Sequence, residues 1–254
     1  MIKKMYDNSG IELWCGDYRD YLQKYSPRFD CVVTDPPYGI TALSWDRWVK
    51  GWFDDMVSVS SSLWCFGTFR MFVDHWEEIT AAGWKMSQDC IWSKGRNTDL
   101  VSDRFGRSHE TILHFYIGKW QDIYHEVPRY SGQLKEVVIN EGQADHQADH
   151  VGKFLKTKGV RMIGQPRKLS VFEGRKCEDQ ASTGNLTSKP VGILSDLIDY
   201  SCPEGGCVLD PFCGSGSTLL AARNLGRRAV GIELREEQIP FVIRRLEQSV
   251  FNFA

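Results

Sequence analysis

The chain has no apolar run of about 18 residues, so a membrane-spanning helix is not expected. Its start, Met1-Ile2-Lys3-Lys4, carries charge but no apolar stretch behind it, and a secretory leader is not expected. Eight cysteines are present, yet none forms a Cys-x-x-Cys pair. Most sit in apolar, strand-like runs (Cys31, Cys65, Cys90, Cys207). That pattern implies reduced, buried thiols in a cytoplasmic protein rather than a disulfide framework or a zinc site. No Gly-Lys-Ser/Thr follows a glycine loop, so there is no P-loop.

With 254 residues, 42% apolar and 25% charged, the chain is a globular domain or a domain with an insertion. Strand-like and helix-like runs alternate at both ends, the pattern of an α/β fold with a mostly parallel sheet. Strands are expected at Ile11–Cys15, Asp30–Thr34, Leu63–Phe66, Met86–Trp92, Thr111–Ile117, Cys207–Asp210 and Arg228–Ile232. Helices are expected near Tyr18–Lys24, Trp48–Ser61 and Asp74–Ala82, from Pro190 to Tyr200 and over Ser217–Leu225, and a last one follows Glu233 and runs to about Gln248.

From about Lys119 to Thr187 the periodicity fades. A tandem repeat there, Gln143-Ala144-Asp145-His146 and Gln147-Ala148-Asp149-His150, could place two histidines on one helix face. The glutamate that zinc proteases hold between such histidines is missing, so a polar loop and no metal is the expectation. Between Lys153 and Lys176 stand eight basic residues and one acid. That segment is +7 in a chain of −2, which leaves −9 for the remainder. A basic segment on an acidic body suits one polyanion-facing edge, and also a plain solvated loop.

Two motifs carry chemistry. Cys207-Val208-Leu209-Asp210 reads as a strand, and Pro211-Phe212-Cys213-Gly214-Ser215-Gly216 as a glycine loop opening the next helix. A further strand ends in Glu233, placed to accept hydrogen bonds from ribose hydroxyls. A dinucleotide site would want a third glycine, but Leu219 stands there, which argues against NAD. The second motif is Thr34-Asp35-Pro36-Pro37-Tyr38-Gly39 at the end of an apolar strand. An acid, two rigid prolines and an aromatic ring can hold one flat amino-bearing ring.

Asp210 to Gly216 resembles the cofactor loop of S-adenosylmethionine-dependent methyltransferases. Asp35-Pro36-Pro37-Tyr38 resembles the catalytic motif of DNA amino-methyltransferases, which methylate N6 of adenine or N4 of cytosine. The order, catalytic motif first and cofactor loop last, is that of the family's β group. Gly16-Asp17, Ser93-Lys94, Ser108-His109-Glu110-Thr111 and Ser188-Lys189-Pro190 resemble lesser signatures of the same family.

The resemblance implies a Rossmann-like, circularly permuted sheet of seven strands, mostly parallel with one antiparallel strand. The chain would begin at the third strand, with the first and second last. Residues 1–118 and 188–254 would form the catalytic domain, and 119–187 an inserted DNA-recognition region. The cofactor S-adenosylmethionine would be bound by Asp17, Asp35, Lys189, Asp210, Phe212, Gly214, Gly216, Ser217, Thr218 and Glu233. Asp35, Pro36, Pro37 and Tyr38 would be catalytic. Phosphates would meet Lys153, Lys156, Lys158, Arg161, Arg167, Lys168, Arg175 and Lys176.

The expected function is site-specific methylation of adenine N6 in double-stranded DNA, by direct transfer to a flipped-out base. An N4-cytosine enzyme and a catalytically silent DNA-binding protein of the same fold are the alternatives. Cytosine-C5 transfer would need a Pro-Cys motif, and none occurs. A homodimer and a cognate restriction endonuclease are compatible partners.

Overall fold

A computed structural model describes residues 1–95, 103, 105–129, 136–137, 162–163, 167–173 and 188–248. The chain divides into two compact units, Met1–Glu126 with Ser170–Ala254, and Val127–Leu169.

The first unit is built on one sheet. Its strands are β1 (Lys3–Asn8), β2 (Ile11–Cys15), β3 (Cys31–Thr34), β4 (Ser62–Gly67), β5 (Lys85–Ser93), β6 (His109–Tyr116), β9 (Val171–Glu173), β10 (Cys207–Asp210) and β11 (Arg228–Glu233). They lie side by side in the order β1-β2-β11-β10-β3-β4-β6-β5-β9. The five strands from β2 to β4 are mutually parallel, and β6 runs against both of its neighbours. The seven strands from β2 to β5 are thus the expected permuted sheet, with the last two strands of the chain inserted between β2 and β3.

The sheet is nine-stranded rather than seven-stranded, because each edge carries one more strand. β1 pairs antiparallel with β2 across the turn Ser9-Gly10, where both residues have positive φ, 52° and 79°. Two such residues match the twist of a tight hairpin. β1 has no buried side chain, so its sequence shows no apolar alternation. β9 pairs parallel with β5 and buries only Phe172.

Helices cover both faces. On one lie α1 (Tyr18–Tyr25), α2 (Trp52–Val57), α3 (Phe69–Asp74) and α4 (Trp76–Ala81); on the other lie α5 (Val191–Ser201), α6 (Ser217–Asn224) and α7 (Ile239–Glu247). The strand period of two sorts the core between them: in β4, Trp64 and Phe66 join Leu197 and Leu219 on one face, while Leu63 and Cys65 join Phe53 and Met71 on the other. The helix expected over Trp48–Ser61 is only α2, because Gly51 takes φ 80° and starts the helix late. The helix expected over Asp74–Ala82 is α4, and a further short helix, α3, precedes it and ends at Asp74.

In the second unit, β7 (Glu136–Val137) pairs antiparallel with β8 (Met162–Ile163). A bridge joins Arg129 to Arg167, and the Lys168 N–H donates to the Pro128 carbonyl at 2.9 Å. His146 and His150 lie outside the described residues, as do Lys153, Lys156, Lys158, Arg161, Arg175 and Lys176. Among the described residues, no helix is long and apolar enough to cross a membrane.

Candidate active site

β10 and β3 are neighbours in register, Val208 beside Cys31 and Leu209 beside Val32. Both motifs therefore leave the sheet at adjacent strand tips, the usual ligand position in an open α/β sheet. The Thr34 hydroxyl donates to Asp210 Oδ1 at 2.7 Å and ties the two tips together. A cavity of about 390 Å³ opens above them. Asp17, Asp35, Pro36, Pro37, Tyr38, Lys189, Asp210, Phe212, Gly214, Ser217, Thr218 and Glu233 all line it.

On one side is the turn after β3. The Tyr38 hydroxyl donates to Asp35 Oδ1 at 2.6 Å, and Lys189 Nζ contacts Asp35 Oδ2. Lys189 immediately precedes Pro190, which caps α5, so the start of that helix delivers an ammonium to the motif. Burial pushes the Asp35 carboxyl up, against the pull of Lys189. Asp46 braces the turn: it accepts from the backbone N–H groups of Gly39, Ile40 and Thr41 at 2.8, 3.1 and 2.7 Å.

On the other side is the glycine loop. Glu233 Oε2 accepts from the Gly214 N–H at 2.7 Å, and Oε1 accepts from the Arg235 N–H and Nε at 3.0 and 2.8 Å. The loop needs its glycines for space. A Cβ on Gly216 would come within 2.5 Å of Val242 on α7, and φ there is 74°. Gly216 serves packing in this way and is not among the cavity-lining residues. A Cβ on Gly231 in β11 would meet Cys213 Sγ at 2.8 Å and Leu219 Cδ1 at 2.8 Å. The close helix–strand approach that a dinucleotide fold obtains from a helix glycine is obtained here from a strand glycine beneath Leu219. Burial pushes the Asp210 carboxyl up to about 6, despite hydrogen bonds from Thr218 and Thr34.

The donor set fits S-adenosylmethionine. Asp17, Asp35, Asp46, Glu110, Asp210 and Glu233 line the cavity against Lys94, Arg107, Lys189 and Arg235, and this excess of acids suits a cationic ligand without phosphates. Phe212 and Cys213 of the loop and Leu194 of α5 supply apolar lining.

The family model for N6/N4 methyltransferases, described as DNA methylase, matches residues 29–244. The chain belongs to this DNA methylase family. The methylase is 25% identical over 286 residues to Type II methyltransferase M.ScaI of Streptomyces caespitosus, covering 98% of this chain and 86% of that one. It is 25% identical to Type II methyltransferase M2.DpnII of Streptococcus pneumoniae, covering 97% and 93%. In structure it resembles M1.HpyAVI solved with S-adenosylmethionine, TM-score 0.58 at 19% identity, covering 92% and 99%. It resembles the cytosine-N4-specific PvuII DNA methyltransferase equally, TM-score 0.60 at 15% identity, covering 99% and 91%. S-adenosylmethionine is the cofactor of this methylase.

Several residues of the methylase's site carry no signal in the sequence. Arg245 on α7 is 7% exposed. Its Nη1 donates to the Ser215 carbonyl at 3.2 Å and to Ser217 Oγ at 2.7 Å, which clamps the glycine loop from behind. Amphipathic periodicity on α7 would not single out Arg245 from its neighbour Arg244. Arg235 stacks over Trp45, 4.9 Å from the ring centroid, and both line the cavity.

Proposed function

We propose that this methylase transfers a methyl group from S-adenosylmethionine to N6 of adenine at a specific site in double-stranded DNA. The observation that carries the reading is the joint opening of the Asp35-Pro36-Pro37-Tyr38 turn and the glycine loop into one cavity.

An aromatic exocyclic amine is a weak nucleophile because its lone pair is delocalised into the ring. Asp35 accepts one of its N–H groups and the Pro36 carbonyl accepts the other, which favours a tetrahedral nitrogen with a directed lone pair. Pro36 and Pro37 restrict the backbone, so this carbonyl is in place before the base arrives. Tyr38 stacks on the base, worth about 1–3 kcal/mol, and offsets part of the few kcal/mol that flipping costs. When bound, S-adenosylmethionine would supply an electrophilic methyl group with a neutral thioether as leaving group, and the methylated nitrogen would shed one N–H proton to solvent. Asp17, Lys189, Asp210, Phe212, Gly214, Ser217, Thr218 and Glu233, which line the cavity, would hold it. Proximity is the main catalytic contribution.

Aspartate at position 35 favours adenine, since serine is more typical of N4-cytosine enzymes. Residues 119–187 are the DNA-recognition region in this reading, with Arg167 and Lys168 among its phosphate contacts. Phosphate contacts position the protein, whereas base contacts specify the sequence. The relatives are named Type II methyltransferases, which supports a cognate restriction endonuclease as partner.

The test is mass spectrometry of nucleosides from DNA incubated with the protein and deuteromethyl-labelled cofactor. Labelled N6-methyldeoxyadenosine is expected, and its loss in Asp35→Ala. N4-methyldeoxycytidine would replace the adenine reading with the cytosine one. DNA binding with no labelled base would leave a silent DNA-binding protein.

A further inference from the structure

Asp35 does not stand alone at the cavity floor. Its partner Lys189 lies 3.5 Å from Glu110 Oε2, and Glu110 Oε1 lies 2.5 Å from Lys94 Nζ. Four charges of alternating sign thus run from the flank of the cavity to the catalytic turn. They come from four separate elements: the end of β5, β6, the start of α5 and the turn after β3. Side-chain exposure is 19% for Lys94, 10% for Glu110, 7% for Lys189 and 28% for Asp35. Charges so enclosed persist only when paired. The rings of Phe66 and Tyr38 flank the Lys189 ammonium at 5.4 and 5.8 Å and restrict it further.

A pair would have sufficed to neutralise one buried lysine. Glu110 does something a second neutral acceptor would not. It draws the Lys189 ammonium between two carboxylates, so the cation bridges rather than simply capping Asp35. Lys94 in turn keeps Glu110 ionised: burial works against that charge, but Lys189 and Lys94 outweigh it and hold the carboxyl below its ordinary range.

We infer that Lys94, Glu110 and Lys189 form a positioning relay that holds the Asp35 carboxylate in place for the incoming amine. The inference rests on Asp35 being the amine acceptor. Lys94 and Glu110 are positioning residues here, acting through Lys189. The groups facing Asp35 are the Tyr38 hydroxyl on its own turn, Lys189 at α5, Glu110 on β6, Asp210 at the tip of β10 and the Cys65 thiol on β4. Burial keeps that thiol protonated, so it adds no charge.

The signs make the relay testable. Lys189 favours the ionised form of Asp35, and Glu110 opposes it. In kcat measured against pH, the acid limb should move to higher pH in Lys189→Met and to lower pH in Glu110→Gln. Lys189→Met should also lose about 10²-fold in kcat, the cost of misplacing a reacting group by about 1 Å. Glu110→Gln keeps the side chain's shape, and circular dichroism checks each variant's fold. If Lys189→Met does not fold, Lys94→Met at the more exposed end replaces it. That variant leaves the Glu110 charge unbalanced and should move the limb up.

Opposite displacements of the limb support the relay. Limbs that coincide with the wild type's, or that move the same way in both variants, overturn it. Failure of the functional reading looks different: the unmodified protein would transfer no methyl to DNA, or Asp35→Ala would still transfer it.

Discussion

Gly231→Ala tests how the cofactor loop is built. The added Cβ would sit 2.8 Å from Cys213 Sγ and 2.8 and 3.0 Å from the two Leu219 methyls. Ordinary contacts are wider, and Leu219 and Cys213 are both buried, so neither yields freely. Overpacking of this kind costs about 1–3 kcal/mol. For a chain of this size the melting temperature should fall about 2–4 °C for each of those kcal/mol. Leu219→Ala alone should cost about 2–5 kcal/mol through the cavity it leaves. In the double variant two of the three close contacts are gone, so the second substitution should cost less than it does alone. The cycle should show a favourable coupling of at least about 1 kcal/mol, read from urea denaturation followed by tryptophan fluorescence. Cys213 is displaced in the single variant, so affinity for S-adenosylmethionine should fall with it, read by titration calorimetry. Strict additivity of the two substitutions would refute the claim that Leu219 rests on Gly231.

Three further outcomes are expected. Arg245→Met should weaken S-adenosylmethionine binding by about tenfold or more, because a charged hydrogen bond to the loop is worth about 1.5–3 kcal/mol; unchanged calorimetric affinity would show that the loop holds its shape unaided. His114 is buried between Ser62 and Ser87, and burial lowers its pKa to about 3. The folded protein keeps that ring neutral while the unfolded chain protonates it below about 6.5, so stability should fall as pH drops, by about 2 kcal/mol between pH 7 and 5; an imidazole NMR signal from His114 titrating near 6.5 would contradict this. DNA binding should weaken with salt at a log–log slope of about −0.9 per phosphate contact, and a salt-independent affinity in filter binding would remove phosphates from the interface.

The sheet's central strands were legible because they are buried on both faces and read as unbroken apolar runs, as Cys31-Val32-Val33 and Val208-Leu209 do. The edge strands were not. β1 buries no side chain fully and β9 buries one, so neither leaves a pattern to read. The motifs were legible because glycine and proline declare backbone demands locally. The ionic contacts between Asp35, Lys189 and Glu110 were not: 154 residues separate Asp35 from Lys189, and no local rule connects them. Arg245 was hidden for the same reason, since its partners Ser215 and Ser217 lie a helix, a strand and a turn away.

What brings the two motifs together is sheet register rather than loop geometry. Val208 pairs with Cys31 and Leu209 with Val32, so the two strands end level with each other. A slip of one residue would turn every side chain of β3 to the opposite face. It would send Val32 toward the core occupied by Leu197 and carry Asp35 away from the cavity. The Thr34 hydroxyl on Asp210 closes the pair at its last step, across 176 residues of sequence. Thr34→Val keeps the shape and removes that bond, leaving a buried Asp210 oxygen short of a donor. The pocket should survive, since the ladder below it is intact, while kcat falls more than cofactor affinity does. An equal loss in both would mean that the hydroxyl serves the cofactor loop alone and not the alignment of the two tips.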